Sequence, residues 1–181
     1  MNYLKIDKTS ISNGLGVRTV LWCAGCERKC KNCFNPQTWD FNAGKLFDEN
    51  AKKLLFAQLS KPYIKGLTLS GGHPLEPKNI NDIYYLLLEI KDKFPEKDVW
   101  LYTGYTLDIL NFRAQMKGIS PECIHHNTIG QVLKMCDVIV DGPYIEEQRD
   151  ITLAFRGSRN QRLIDVKETL KQGKIITIQN D

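Results

Sequence analysis

Four of the six cysteines in this chain of 181 residues lie in one short segment, and their spacing limits the chemistry they can do. They are Cys23, Cys26, Cys30 and Cys33. The two cysteine pairs of a zinc ribbon are usually ~15–20 residues apart, whereas only three residues separate Cys26 from Cys30. An iron–sulfur cluster is larger and accepts thiolates from one compact loop. The spacing Cys26-x3-Cys30-x2-Cys33 therefore favours a four-iron cluster held by three thiolates, with one iron left open.

The remaining cysteines have separate interpretations. Cys23 ends an apolar stretch, which predicts a buried thiol; the alternative is a fourth thiolate ligand, which would close the cluster and restrict it to electron transfer. Cys136 lies beside an apolar run and is predicted to belong to the core. Cys123 stands with His125 and His126 in a polar stretch, and we assign no metal site to these three residues.

Short apolar runs alternate with segments of helical periodicity, and these elements must position the cysteine loop. Strands are predicted at residues 17–22, 66–70, 98–103, 137–141 and 174–178. One helix is predicted to begin after Asp48 and to end before Pro62, and a longer one to run from Asn79 to Pro95. Further helices are predicted at 106–112 and 129–135.

Strands that alternate with helices predict an α/β fold with a mostly parallel sheet covered by helices. Ligand sites in such sheets lie at the carboxyl ends of the strands. The cysteine loop, Gly71-Gly72, Thr103-Gly104 and Asp141-Gly142 each follow a predicted strand, so we expect these four loops to meet at one edge. No repeat or linker divides the chain, which predicts a single domain over 1–181 with a peripheral tail from about 166 to 181.

The composition, with 42% hydrophobic and 25% charged residues, is typical of a globular domain. The net charge of +4 comes from basic and acidic residues scattered along the chain, which is too small an excess to indicate nucleic-acid binding. The longest apolar runs are far shorter than the roughly 20 residues of a membrane helix. The first residues do not resemble a secretory signal, so we expect a cytoplasmic protein with no membrane partner.

The cysteine loop, from Cys26 to Asn35, resembles the CxxxCxxC signature of the radical S-adenosylmethionine enzymes. Other segments resemble, in order, landmarks of one family in that superfamily, the glycyl-radical-enzyme activases that act on the anaerobic ribonucleotide reductase. These segments are residues 13–18, 38–39, 67–72, 102–105, 141–142 and 155–162. The resemblance covers about residues 2–165 and implies the partial (βα) barrel of radical S-adenosylmethionine enzymes.

The resemblance also implies an activity. A [4Fe-4S] cluster on Cys26, Cys30 and Cys33 would bind S-adenosylmethionine at its open iron and cleave it reductively to a 5′-deoxyadenosyl radical. That radical would abstract a glycine hydrogen from the large subunit of the anaerobic ribonucleoside-triphosphate reductase and leave a glycyl radical. The implied partners are this subunit and a one-electron donor such as flavodoxin. No catalytic side chain is expected, because the cofactors carry the chemistry.

The resemblance further implies residues that bind S-adenosylmethionine. Gly71 and Gly72 would let the backbone approach the ligand, because they lack a Cβ atom. The other expected contacts are Asn32, Cys33 and Phe34 near the adenine, and Thr103 and Asp141 near the ribose and methionine ends. His73 stands where the family commonly has an acidic residue, which leaves the role of this side chain open.

Three arginines, Arg156, Arg159 and Arg162, lie in the segment 155–162. We expect them to steer or dock the protein partner; the alternative is a solvated charged surface.

Other classes of protein share the cysteine signature. One alternative is another small radical S-adenosylmethionine enzyme, such as a pyruvate formate-lyase activator or a deazaguanine synthase, which should lack the segment 155–162. Another is a non-enzymatic iron–sulfur or zinc-binding module. A brown protein with broad absorption near ~400 nm after anaerobic purification would exclude the zinc module.

Overall fold

The computed structural model describes residues 1–108 and 121–179, without the side chains of residues 121–126. Within these ranges seven strands form one sheet: β1 (Asn2–Ser10), β2 (Arg18–Cys23), β3 (Lys45–Leu46), β4 (Gly66–Gly71), β5 (Asp98–Tyr102), β6 (Val138–Asp141) and β7 (Arg162–Asp165). The helices are α1 (Glu49–Leu59), α2 (Ile80–Lys93), α3 (Pro121–Met135) and α4 (Val166–Gln172). No described helix has the length and apolar character needed to cross a membrane.

The sheet is mixed, so the prediction of a mostly parallel sheet is wrong. The strand order is β3-β1-β2-β4-β5-β6-β7. The central strands β2, β4, β5 and β6 run parallel to one another. The pairs β3-β1, β1-β2 and β6-β7 on the two flanks are antiparallel. The partial barrel implied by the resemblance stays a prediction.

The lengths of the connections explain the antiparallel flanks. Only residues 11–17 link β1 to β2, whereas a parallel crossover needs about a dozen residues or more. Residues 142–161 link β6 to β7 with a single short 3-10 turn at Glu146–Gln148, so no helix carries the chain back across the sheet. Parallel pairing is therefore confined to the strands that helices connect.

Four of the five predicted strands are confirmed within one or two residues, as β2, β4, β5 and β6. Strand β1 was not predicted, because its apolar residues do not alternate regularly with polar ones. Most of its residues are half-buried. The strand predicted at 174–178 is wrong: only Thr177 in this stretch forms a bridge, to Ile164. The edge strand on that side is β7.

The helix starts follow the predicted capping residues. Asp48 caps α1, and its carboxylate accepts a hydrogen bond from the amide of Ala51 at 2.9 Å. Asn79 precedes α2, but its side chain donates to the carbonyls of Ala24 at 2.8 Å and His73 at 3.2 Å. α3 is longer than predicted, since it begins at Pro121. Of the helix predicted at 106–112, residues 109–112 lie outside the described residues.

The main core lies between the sheet and the helices that cover it. Its members come from the central strands and from the inner faces of α1, α2 and α3, and include Leu21, Leu55, Leu69, Leu87, Leu101, Val132 and Ile139. This packing fixes where each central strand ends, and therefore where the following loops lie.

Arg18 lies at the amino end of β2, opposite the cysteine loop, and is completely buried. Its guanidinium ion-pairs with Asp98 at 2.5 Å and donates to the Thr68 hydroxyl at 2.8 Å. It also donates to the carbonyl of Leu67 at 2.8 Å, and it lies over the ring of Trp100. The segment 13–18 therefore joins β2, β4 and β5 at the end of the sheet away from the cysteines.

Candidate iron–sulfur site

A cleft lies across the carboxyl ends of β4, β5 and β6, where the sequence predicted that four loops would meet. Its walls include Cys26, Cys30 and Cys33 on one side and residues 70–73, 102–104 and Gly142 on the other. Tyr144 and Gln161 complete the wall on the β7 side. The convergence of these loops is thereby confirmed. The carboxyl edge of parallel strands is the usual position for a ligand site in such sheets.

The three cysteines of the CxxxCxxC loop all border this cleft. No three His, Cys, Asp or Glu side chains among the described residues come together around one metal-ion position. In a cubane, each thiolate binds a different iron, so the ligands need not converge on one point. The donor set, three thiols beside an open cleft, therefore fits a four-iron cluster with one free position.

Backbone amides point at two of these sulfurs. The amide of Asn35 donates to Cys33 Sγ at 3.4 Å. Burial raises the pKa of the Cys26 thiol, while hydrogen bonds from the amides of Arg28 and Lys29 act to lower it. Such bonds stabilise the thiolate, which is the form that binds iron.

The backbone of the loop is left-handed immediately before two of the thiols. Lys29, which precedes Cys30, has φ of 44°, and Asn32, which precedes Cys33, has φ of 54°. Asn tolerates this region better than most residues. Asn32 is thus suited to turn the chain so that Cys33 borders the cleft. This is a backbone role that the resemblance did not imply.

The loop that follows β4 is packed against the cysteine loop. The amide of Gly72 donates to the carbonyl of Cys23 at 2.7 Å, and the amide of His73 donates to the carbonyl of Gly25 at 2.8 Å. A Cβ atom on Gly72 would lie 2.4 Å from the Gly25 oxygen. The backbone contact that demands a glycine at position 72 is therefore with the cysteine loop itself. The positive φ, 105°, belongs to Gly71.

His73 is buried and connects its own loop, which follows β4, to two other loops of the site. Its Nδ1 lies 3.0 Å from a carboxylate oxygen of Glu76, and its Nε2 lies 2.8 Å from the hydroxyl of Thr103. The other carboxylate contact of Glu76 is the amide of Glu27, at 3.2 Å. Burial acts to raise the pKa of Glu76, but His73 and this amide hold it below its usual value. His73 therefore connects the glycine loop, the cysteine loop and the Thr103 loop.

Asp141 is completely buried, and its carboxylate is occupied within the chain. Arg162 donates to it from Nε at 3.0 Å and from a terminal nitrogen at 2.6 Å, and the amide of Leu107 donates at 2.8 Å. The contact of Asp141 with the cofactor stays a prediction. The structure shows that three donors within the chain already bind this buried carboxylate.

The segment 155–162 forms a wall of the cleft. The side chain of Gln161 accepts hydrogen bonds from the amides of Gly157 at 2.8 Å and Ser158 at 3.2 Å, and donates to the carbonyl of Gly142 at 3.1 Å. Arg159 is exposed and pairs with Asp150 at 3.0 Å, while Arg156 donates to the Gln161 carbonyl at 3.4 Å. The predicted cluster of three basic residues is thus divided, because Arg162 is committed to Asp141.

The other predicted residues have the following positions. Phe34 borders the cleft, is 78% exposed and contacts the edge of Trp22. Thr103 also borders the cleft, although its hydroxyl already contacts His73 and the amide of Tyr105. Cys23 and Cys136 are buried, as predicted, and burial raises the pKa of each thiol to about 12. The side chains of Cys123, His125 and His126 lie outside the described residues.

The sequence analysis did not single out Arg28, Gly104 and Tyr105 as a unit. The guanidinium of Arg28 lies 4.9 Å from the ring centre of Tyr105 and borders the cleft together with Gly104. The only sequence signal for Arg28 is its position between two cysteines, since its partners lie far along the chain.

The fold and this cleft define an iron–sulfur protein, and comparison with known families agrees. Residues 12–164 match the family model described as a 4Fe-4S single cluster domain. The matched range contains every loop that borders the cleft.

Three relatives identify the family. Proteins from Haemophilus influenzae, Enterobacteria phage T4 and Escherichia coli are 39%, 42% and 38% identical to this chain, respectively. The alignments cover 89%, 90% and 89% of this chain and 96%, 93% and 96% of the relatives. Each relative is named anaerobic ribonucleoside-triphosphate reductase-activating protein. The chain belongs to this family of activating proteins.

Proposed function

We propose that this chain activates the large subunit of an anaerobic ribonucleotide reductase by generating a glycyl radical on it. The names of its relatives supply the target. When bound, a [4Fe-4S] cluster and S-adenosylmethionine would supply one-electron cleavage of a sulfonium bond and a 5′-deoxyadenosyl radical able to take a glycine hydrogen. The protein's own task is to hold these groups, orient them and exclude water.

The observation that carries the proposal is the common cleft of the cysteine loop and the glycine loop. Cys26, Cys30 and Cys33 would each bind one iron, which leaves the fourth iron open to a chelating ligand. Gly71 ends β4 and Gly72 follows it, and both border the cleft with these thiols and present backbone rather than side chain to it.

The remaining walls would orient the ligand. Phe34 offers an exposed ring beside the third thiol, where an adenine base could pack. Thr103 borders the opposite wall and is held there by His73 and the Tyr105 amide, so its hydroxyl position is defined before a ligand binds. We propose that Asp141 supports the site indirectly, through the ion pair with Arg162.

The test is anaerobic incubation of the reconstituted protein with the reductase large subunit, S-adenosylmethionine and a strong reductant. Electron paramagnetic resonance should detect a glycyl radical on the reductase. Cys30→Ala should yield none, whereas Cys136→Ala, which changes a buried thiol remote from the cleft, should yield it. A cluster-loaded protein that cleaves S-adenosylmethionine but leaves the reductase without a radical would contradict the proposed target. We expect flavodoxin or a similar one-electron donor to replace the chemical reductant.

A further inference from the structure

We propose that Arg28 stabilises the reduced state of the cluster and so raises its reduction potential. This inference rests on the proposed function only in requiring that Cys26, Cys30 and Cys33 hold a four-iron cluster. It assigns a role to one side chain of the cysteine loop that the CxxxCxxC signature does not specify.

The lining of the cleft contains one side chain with a permanent charge among its described residues, that of Arg28. No other described residue of this lining is a Lys, Arg, Asp or Glu. A four-iron cluster bound by three thiolates is an anion, and reduction adds another negative charge. A fixed cation in the same cleft therefore stabilises the reduced form more than the oxidised form. An arginine is suited to this because its planar guanidinium is a permanent cation.

The guanidinium of Arg28 is held at the cleft and forms no ion pair with another described residue. Its Nε atom is buried and makes no hydrogen bond within the described residues. Its carbon atom Cζ lies 4.9 Å from the centre of the Tyr105 ring, which favours a cation. The charge of Arg28 acts to lower the pKa of Glu76, but the hydrogen bonds of that carboxylate are with His73 and the Glu27 amide. No described carboxylate therefore forms an ion pair with Arg28, and its charge lies at the cleft where thiolates would bind iron.

The fold also leaves space for the Arg28 side chain at Gly104. A Cβ atom built on Gly104 would lie 2.3 Å from both Cδ and Nε of Arg28. The φ of Gly104 is not positive, so its backbone conformation does not by itself require glycine. The missing side chain at 104 instead leaves room for the arginine that reaches across from the cysteine loop.

The experiment is a mediated redox titration of the reconstituted cluster, without S-adenosylmethionine and without the reductase. Arg28→Gln should shift the midpoint potential to more negative values, while Arg28→Lys should retain part of the wild-type value because it keeps the charge without the planar fork. Lys29→Gln and Lys31→Gln are the matched controls, since both lysines belong to the same loop but are exposed to water. Screening should make their shifts much smaller.

Gly104→Ala tests the effect of Arg28 on the midpoint potential by a second substitution. The added methyl group displaces the guanidinium without removing it, so the potential should shift in the same direction as in Arg28→Gln. The double variant Arg28→Gln/Gly104→Ala should show no further shift beyond Arg28→Gln, because the alanine then has no guanidinium to move. Iron and sulfide content are measured in every variant. If Arg28→Gln loses its cluster, Arg28→Lys and Gly104→Ala carry the comparison.

The outcomes separate this inference from the proposed function. An unchanged potential in Arg28→Gln or Gly104→Ala, with the cluster intact, overturns the role of Arg28 and leaves the proposed activation untouched. Equal shifts in Arg28→Gln and Lys29→Gln would also overturn it, because net charge rather than position would then matter. A wild-type protein that binds no cluster overturns both.

Discussion

At the scale of single residues, the cysteine loop depends on its backbone as much as on its thiols. The residues before Cys30 and Cys33 are left-handed, and backbone amides point at the sulfurs of Cys26 and Cys33. The left-handed backbone and the amide hydrogen bonds therefore hold three thiols toward one cleft. Such preorganisation reduces the ordering cost of cluster assembly.

We predict that Cys30→Ala abolishes cluster binding and that Cys23→Ala does not. Cys30 borders the cleft, whereas Cys23 is completely buried in the core, where its thiol faces apolar side chains. Cys26→Ala and Cys33→Ala should behave like Cys30→Ala. Iron and sulfide analysis after anaerobic reconstitution provides the measurement. Cys23→Ala should cost only about 1 kcal/mol of folding stability, and an equally complete loss of iron in this variant would show that the cluster has four thiolate ligands.

Asn32→Val should weaken cluster retention although the side chain is not a ligand. A β-branched residue pays about 1–2 kcal/mol in the left-handed region, and this strain falls on the turn that positions Cys33. The rate at which iron is lost to a chelator under anaerobic conditions should increase several-fold. Asn32→Gly is the control and should retain the cluster, because glycine adopts this conformation freely. Equal rates of iron loss in Asn32→Val and Asn32→Gly would show that the backbone conformation at residue 32 does not affect cluster retention.

At the scale of elements, the two ends of the parallel strands have different tasks. The carboxyl ends of β4, β5 and β6 carry the loops of the cleft, while the amino ends of β2, β4 and β5 are joined by Arg18. The family landmarks are therefore of two kinds. Those at the carboxyl ends form the site, and the segment 13–18 holds the strands that support it.

Gly72→Ala tests the contact between the glycine loop and the cysteine loop. The new methyl group would meet the Gly25 carbonyl, which is backbone and cannot rotate away. We expect a large loss of bound iron, measured after reconstitution, together with lower thermal stability. Gly173→Ala is the control: its φ is 65°, which strains alanine, but nothing lies within 4 Å of the added atom, so stability should fall without loss of iron. A Gly72→Ala protein with full iron and weaker S-adenosylmethionine binding would instead place the critical contact at the cofactor.

Arg18→Met should destabilise the fold without acting on the cleft directly. Removing the guanidinium leaves Asp98 without its ion-pair partner and deprives the Thr68 hydroxyl and the Leu67 carbonyl of their donor. We expect a loss of about 3 kcal/mol in the free energy of unfolding, measured with urea, because removing one member of a buried pair is costly. Arg18→Lys should recover little, since an ammonium cannot reach several acceptors at once. If Arg18→Lys were as stable as the wild type, charge alone would account for the role of Arg18.

At the scale of the whole molecule, the segment 155–162 ties the β7 edge of the sheet to the site. Gln161 binds the Gly142 carbonyl, and Arg162 binds Asp141 at the end of β6. Residues far apart in the chain thus build one wall of the cleft. The arginines of this segment therefore differ in their contacts, and Arg159 is exposed to solvent. Docking of the partner by these arginines stays a prediction.

Arg162→Ala and Arg159→Ala should consequently differ. Arg162→Ala leaves the buried Asp141 carboxylate without its ion-pair partner, which should cost about 3–5 kcal/mol of stability. Arg159→Ala removes an exposed ion pair and should cost about 1 kcal/mol or less. Chemical denaturation of both variants provides the comparison. Similar stabilities would contradict the structural role of Arg162.

Replacing Arg156, Arg159 and Arg162 together should lower uncoupled cleavage of S-adenosylmethionine as well as glycyl-radical formation, because the cleft wall itself is damaged. If glycyl-radical formation falls while uncoupled cleavage is unchanged, the arginines dock the protein partner instead.

The sequence analysis predicted those features that depend on neighbours in the chain. The position of the cysteine loop after a strand, the Asp48 cap and the four central strands were predicted from local spacing and turn residues. The structure agrees on each of them. Features without a clear local pattern were missed or wrong. β1 shows no clear alternation of apolar residues, and the edge strand near the end of the chain was placed at 174–178 instead of at β7.

The sequence by itself therefore determined which loops border the cleft and at which end of the strands they lie. Only the tertiary structure decided which of their side chains face the cleft. Asp141 accepts hydrogen bonds from Arg162, His73 contacts Glu76 and Thr103, and Arg28 lies over the ring of Tyr105. Apart from the contact between His73 and Glu76, each of these joins residues at least twenty-one positions apart in the chain. Such contacts depend on how the sheet packs and how its edges pair. A polar residue in such a loop has several possible partners until that packing brings one of them within hydrogen-bonding distance.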